Sequence, residues 1–319
     1  MYISKNNEVF LTVVETMERY NVSRSTLYNK ELRSTLFFIR GEVMETFYTP
    51  NTYLNNKFGE IMLNGKYKEK IEKKGYTSEA SITVYKPDET FFKWDEYSPF
   101  DKLVHDACCS LVESGQREFS RTEIWRMITG CYDYSENPSD DILSLIDASL
   151  WKLMTTAVVI KGHISGKSFE YKGALIGCST YVEKYHGQIT YDVVSVGNIP
   201  PLLNYAKLKK QIVTYPTLLL TLGNKNTALN TTIKHYILKQ IEIFKNKKNY
   251  RSNHTILLET LFNECEIITK KQKYACRKSI VSLLNDLIKE KYIRGYDLDI
   301  KNRSIRAIKI ELTNEEESK

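Results

Sequence analysis

The stretch SNHTILLETLFNECEIITKKQKYACRKSIVSLLNDLIKEKYIRGYDLDIKNRSIRAIKIEL, residues 252–312, decides how the rest of the chain is understood. Ile256, Leu257, Leu261 and Phe262 predict a first apolar helix, broken at Ile268 and Thr269. A second helix follows from about Lys270 to Tyr292. Its Ile280, Leu284, Leu287 and Ile288 repeat at the spacing of one buried helical face. The opening turns are of another kind: Lys270, Lys271, Lys273, Arg277 and Lys278 are cationic, with no acid among them. A helix with an apolar second half and a cationic first half can enter a DNA major groove tip first. Tyr296, Leu298 and Ile300 then alternate with Asp297 and Asp299. The turn Lys301-Asn302-Arg303 leads into Ile305, Arg306, Ala307, Lys309 and Leu312, which predicts a hairpin with a basic tip. Together these elements are a helix-turn-helix followed by a wing. The bland alternative is a solvated helix end and an ordinary surface turn.

Length sets the scale for the remainder. With 319 residues the chain can bury two or three cores of ordinary domain size. Its net charge of +7 suits a polyanionic partner. Six cysteines, at 108, 109, 131, 178, 265 and 276, form no C-x-x-C pair, and adjacent Cys108 and Cys109 are badly placed to bridge each other. Reduced thiols in a cytoplasmic protein are expected. The start Met1-Tyr2-Ile3-Ser4-Lys5 lacks a signal-peptide apolar core, and no run has transmembrane length.

Before residue 95 the expectation is an N-terminal extension. Val13 to Tyr20, the turn Asn21-Val22, and Ser23-Arg24-Ser25-Thr26-Leu27-Tyr28 form a small helix-turn-helix candidate with Ser23 as N-cap. That V-S-R-S-T wording is similar to the helix-turn-helix of excisionase-like proteins. It would offer Ser23, Arg24 and Ser25 to DNA, although a protein-interaction surface is an equal alternative. Lys66 to Lys74 alternates in sign and predicts a solvated helix. Ser81 to Tyr85 is strand-like, and Lys86-Pro87-Asp88-Glu89 predicts a linker.

Residues 96–196 predict a first winged helix. Leu103, Val104, Ala107, Cys108 and Leu111 form a helical stripe, and Ser120 with Glu123 makes a capping box for the next helix. A third helix carries Ile142, Leu145, Ile146, Leu150, Leu153 and Met154. Val158-Ile160 and Ala174-Ile176 are expected to be the wing, around a loop with Lys161, His163 and Lys167. Asp140, Asp141 and Asp147 on the third helix would repel phosphate. Weak DNA contact, confined to that loop, or a protein interface is therefore expected here, with an apolar surface left by Leu150, Trp151 and Leu153.

Residues 197–319 form the second winged helix. Its long helix, Thr227 to Phe244, buries Ile233, Tyr236, Ile237, Ile241 and Phe244. Lys234, Lys239, Lys245, Lys247, Lys248 and Arg251 are expected to position phosphates, while Arg277 reads bases. The fold class is thus α+β, mainly α.

The order of parts and the local wording resemble plasmid replication initiators of the iteron-binding type. Phe100-Asp101-Lys102-Leu103-Val104-His105-Asp106-Ala107 resembles their opening helix, and Phe119-Ser120-Arg121-Thr122-Glu123-Ile124-Trp125 their second. Pro201-Leu202-Leu203-Asn204-Tyr205-Ala206-Lys207 is similar to the start of their second domain, and His235-Tyr236-Ile237-Leu238-Lys239-Gln240-Ile241 to its long helix. The resemblance covers about residues 98–312. It implies binding to repeated origin sites in double-stranded DNA, recruitment of a host helicase, and a homodimer that represses alongside a monomer that initiates. A transcriptional regulator and a protein-binding scaffold are the rival classes.

Enzyme signatures are missing from the sequence. Histidines 105, 163, 186, 235 and 254 are isolated, so the paired metal-binding histidines of a rolling-circle initiator are lacking. Gly162 to Ser168 ends in G-K-S but departs from phosphate-loop spacing. Cys265, Cys276 and His254 lack metal-ligand spacing. No catalysis, cofactor or metal is expected.

Overall fold

The computed structural model describes residues 2–3, 9–10, 46–73, 76–85, 97–131, 137–164, 167–186, 188–246, 253–301 and 304–313. The helix-turn-helix candidate at 13–28, with Ser23, Arg24 and Ser25, lies outside them. Strands β1 (Tyr2–Ile3) and β2 (Val9–Phe10) pair with each other. The chain continues through β3 (Thr46–Pro50), the short helices α1 (Tyr53–Asn56) and α2 (Phe58–Asn64), and a hairpin of β4 (Lys66–Lys73) and β5 (Tyr76–Tyr85).

Capping residues fix where the next helices begin. Ser98 accepts from the Asp101 amide while Asp101 accepts from the Ser98 amide, which starts α3 (Pro99–Glu113) with proline in its first turn. After β6 (Glu118–Phe119), the box of Ser120 and Glu123 starts α4 (Arg121–Thr129), as its sequence predicts. Ser139 caps α5 (Asp140–Thr155). Four strands follow: β7 (Ala157–Ile164), β8 (Lys167–Ala174), β9 (Cys178–Tyr185) and β10 (Gln188–Val196). Helix α6 (Pro201–Lys209), β11 (Ile212–Pro216) and a 3-10 turn (Thr217–Thr221) lead to α7 (Ala228–Lys245), capped by Thr227. Then come β12 (Thr255–Leu257), α8 (Leu258–Glu264), α9 (Lys270–Lys289), β13 (Gly295–Lys301) and β14 (Ser304–Glu311).

The fold is α+β, and it repeats one motif. In α3-β6-α4-α5 with β9 and β10, the strand between the first two helices pairs with the last strand, giving the order β6-β10-β9. In α7-β12-α8-α9 with β13 and β14 the order is β12-β14-β13, the same topology. The wing expected from residues 158–160 and 174–176 is a correction. Strands β7 and β8 instead extend the N-terminal hairpin into a four-stranded sheet, β4-β5-β7-β8. Ile82 pairs with Ile160 and Val84 with Val158, and all four are buried. The apolar face that suggested a wing is thus spent on this sheet.

Two further elements differ from expectation. Lys66–Lys73 is a strand, not a solvated helix. Pairing with β5 along its whole length decides it. Ile256 and Leu257 are in β12, because Ile256 buries itself opposite Ile308 in the sheet.

The two repeats and the residues ahead of them share one core. Strand β3 pairs with β11, joining Pro50 to Ile212, 162 positions apart in sequence. Phe47 stacks on Tyr215 at 5.5 Å and meets His235 edge-on at 4.3 Å. The expected limits at residues 95 and 196 are therefore crossed by strand pairing. Gly130 closes α4 at φ 67°, where an added Cβ would lie 2.0 Å from the Thr217 carbonyl oxygen. Only glycine permits that approach of α4 to the 3-10 turn.

Candidate nucleic-acid interface

Helix α9 begins at Thr269, which accepts from the Gln272 amide while Gln272 accepts from the Thr269 amide. Cys276, Ser279, Ile280, Leu283, Leu284 and Leu287 turn inward. Helical geometry then leaves Lys271, Tyr274, Ala275 and Lys278 on the opposite side, and all four are exposed, as is Lys270 at the tip. No acid occurs between Lys270 and Asn285. The Lys278 ammonium lies 5.3 Å from the Tyr274 ring, and Tyr274 is 62% exposed. This stripe joins point charges to a flat aromatic face.

Lys273 and Arg277 occupy the neighbouring stripe. The Lys273 Nζ and the Arg277 guanidinium each sit 5.3 Å from the Phe262 ring on α8. The Arg277 Nε is buried without a protein acceptor. The sequence singles out Arg277 for its charge, but the outward face belongs to Lys271, Tyr274 and Lys278. Tyr274 was missed, although its place between lysines at i−3 and i+4 marks it.

Hairpin β13–β14 flanks the helix. Arg306 is exposed on β14, and Lys309 stands opposite Asp297. Lys301 ends β13, while Asn302 and Arg303 lie outside the described residues, as do Lys247, Lys248 and Arg251. Asp297 and Asp299 are exposed along β13, so the strand body carries acids as well as the exposed Arg306 and Lys309.

The cationic surface expected on α7 is corrected by its packing. Lys234 is buried and donates to the Leu220 carbonyl and to Asn226 Oδ1, both at 2.8 Å; burial pushes its ammonium down to about 8. Lys239 donates to Asn56 Oδ1 at 2.7 Å and lines a cavity of about 250 Å³ between α3, α7 and α8, where burial lowers it to about 7. Lys245 pairs with Glu242 at 2.8 Å and lies over Tyr292. Helix α7 packs on both α3 and α9, so Lys234 is buried and Lys239 and Lys245 are only partly exposed.

The first repeat is different in charge. Leu150 and Leu153 are fully buried, correcting the expectation that they remain available, whereas Leu145 and Trp151 are exposed. Lys152 turns inward to Asp101 at 3.1 Å, and Ser149 donates to the same carboxylate at 2.6 Å. Arg121 grips both oxygens of Asp192 on β10 at 3.1 Å and reaches Asp147 at 3.7 Å, tying hairpin and helices together. Lys161 pairs with Glu170 at 3.0 Å in the four-stranded sheet, away from the hairpin that pairs with β6. Gly162 lies in β7, and an added Cβ would meet the Phe169 ring at 2.3 Å. That contact accounts for the glycine without a phosphate.

Buried histidine and cysteine have structural surroundings. His235 Nε2 lies 2.6 Å from the Ile128 carbonyl oxygen, which can only accept, so Nε2 carries the proton and Nδ1 accepts from the Tyr215 hydroxyl at 2.6 Å. All six cysteines are free. Burial raises the Cys178 and Cys276 thiols to about 12 and pushes Cys108, Cys109 and Cys265 well above the ordinary range. Such thiols are poor nucleophiles. Among the described residues no group of three His, Cys, Asp or Glu side chains is placed to hold a metal, and no helix is long and apolar enough to cross a membrane.

No family model matches the chain, and no curated protein matches it. Solved structures similar to this chain include two of RctB. One, of domains 2 and 3 of RctB, is 12% identical with a TM-score of 0.38, covering 82% of this chain and 97% of that one. A second structure of RctB domains 2–3 is 10% identical with a TM-score of 0.42, covering 79% and 93%. Both are distant likenesses.

Proposed function

We propose that this protein is a DNA-binding replication initiator of a plasmid or mobile element, built on two winged helices, with the second reading the DNA. The observation that carries the reading is the outward stripe of α9. Lys270, Lys271 and Lys278 surround Tyr274 on the third helix of its repeat, free of acids and beside a hairpin. A helix so placed can enter a major groove while its lysines neutralise phosphates on both sides. The chemistry is binding and deformation of double-stranded DNA at repeated origin sites, followed by recruitment of a host helicase. No covalent step, cofactor or metal is involved.

Fluorescence anisotropy on a labelled duplex at rising salt tests the DNA contact. Lys271→Ala and Lys278→Ala should each reduce the log–log salt slope by roughly one unit. An unchanged slope in both would remove α9 from the interface. Replication of a reporter plasmid carrying the adjoining repeats then separates initiation from transcriptional control, since a regulator would bind DNA without supporting replication.

A further inference from the structure

The third helices of the two repeats hold the same topological position with opposite surfaces. On α5 the outward side carries Asp140, Asp141, Leu145 and Trp151; the last two are 39% and 46% exposed. Acids in a first helical turn favour the helix dipole, which accounts for Asp140 and Asp141 individually. It does not account for Leu145 and Trp151 one to three turns further along. The cation on this helix cannot balance the face, because Lys152 is turned inward to Asp101. On α9 the equivalent side is cationic with one aromatic, Tyr274. One surface is therefore acidic and apolar, and the other basic and aromatic.

We infer that the outer face of α5 binds the outer face of α9 from a second copy of this chain. The acids of one meet Lys271 and Lys278 of the other, and Trp151 and Leu145 cover Tyr274. Because the two faces differ, the contact is heterologous: each copy offers one donor face and one acceptor face, and assemblies grow head to tail. Two helical faces make a small interface, so association is weak and salt-sensitive. The contact also hides α9, and, on the reading of α9 as the DNA-binding helix, self-association and DNA binding exclude one another.

Charge reversal on the full-length chain tests this. At low salt, sedimentation velocity of the wild type should show mass growing with concentration, and high salt or an excess of random-sequence duplex should return it to monomer. One variant carries Asp140→Lys with Asp141→Lys, and another carries Lys271→Glu with Lys278→Glu. Each alone should be monomeric, while an equimolar mixture should associate again. Leu145→Ser with Trp151→Ser, which leaves helix-end charge intact, should weaken association by at least roughly ten-fold. A wild type that stays monomeric at low salt overturns the inference, as does a mixture of reversed variants that fails to associate. If association follows this pattern but the duplex neither binds nor competes, the α5–α9 contact stands and the DNA reading of α9 fails.

Discussion

His235 shows how one buried side chain ties distant segments together. Its two nitrogens are both used, one donating to Ile128 on α4 and the other accepting from Tyr215 on β11, and desolvation holds its pKa down to about 4. The unfolded chain, with an ordinary histidine near 6.5, binds more protons between those limits. Stability is therefore complete above about pH 6.5 and falls as pH drops toward 4. At pH 5 the loss is about 2 kcal/mol. Urea unfolding at pH 7 and pH 5 should show a drop of that order in the wild type and a smaller one in His235→Gln. Equal drops would place the proton uptake elsewhere. Gly130 gives a second test at this scale. Gly130→Ala forces a left-handed alanine and a clash with the Thr217 carbonyl, costing roughly 2–4 kcal/mol. Gly59, in α2, has nothing within 4 Å of an added Cβ, and Gly59→Ala should stabilise by about 0.5–1 kcal/mol. Thermal melts of the pair separate backbone freedom from close approach.

Elements divide by how local their determinants are. Helices α4, α7 and α9 and hairpin β13–β14 were legible because their caps, apolar periods and turn lie within a few residues of one another. Strands β6 and β12 were not, being two and three residues long and defined only by a partner far along the chain. For the same reason Val158 and Ile160 suggested a wing: their alternation specifies a strand but not its neighbour, and that neighbour is β5. The candidate site was legible as a charge cluster, but its orientation was not, since Phe262 captures Lys273 and Arg277 only once α8 packs beside α9. This division predicts two phenotypes on one helix. Tyr274→Ala should leave the melting temperature within experimental scatter and weaken binding to cognate duplex by about 1–2 kcal/mol. Arg277→Ala should lower stability by about 1 kcal/mol through lost packing on Phe262. Chemical unfolding and anisotropy measured on both proteins distinguish the roles; reversed outcomes would restore Arg277 as the base reader.

For the whole molecule, the repeats are held by the residues that precede them. Strand β5 covers one edge of β7, and β3 covers one edge of β11. The Tyr48 amide donates to Ser110 Oγ at 2.8 Å, inside α3. Phe47, Leu54, Phe58, Ile61, Met62, Ile82 and Val84 are all buried. A chain beginning at residue 97 loses these seven side chains and uncovers two strand edges. Full burial of a large apolar side chain is worth about 1.5–3 kcal/mol, so the loss is on the order of 10–20 kcal/mol. That is comparable with the entire stability of an ordinary domain, and the exposed edges offer sites for intermolecular pairing. The truncated chain should therefore be insoluble or lack a cooperative thermal transition. A chain beginning at residue 45 keeps all of these contacts and should melt cooperatively. Circular dichroism and size-exclusion chromatography of the two truncations decide between an integral scaffold and a dispensable extension: a well-folded chain from residue 97 would mean that the two repeats sustain their core alone.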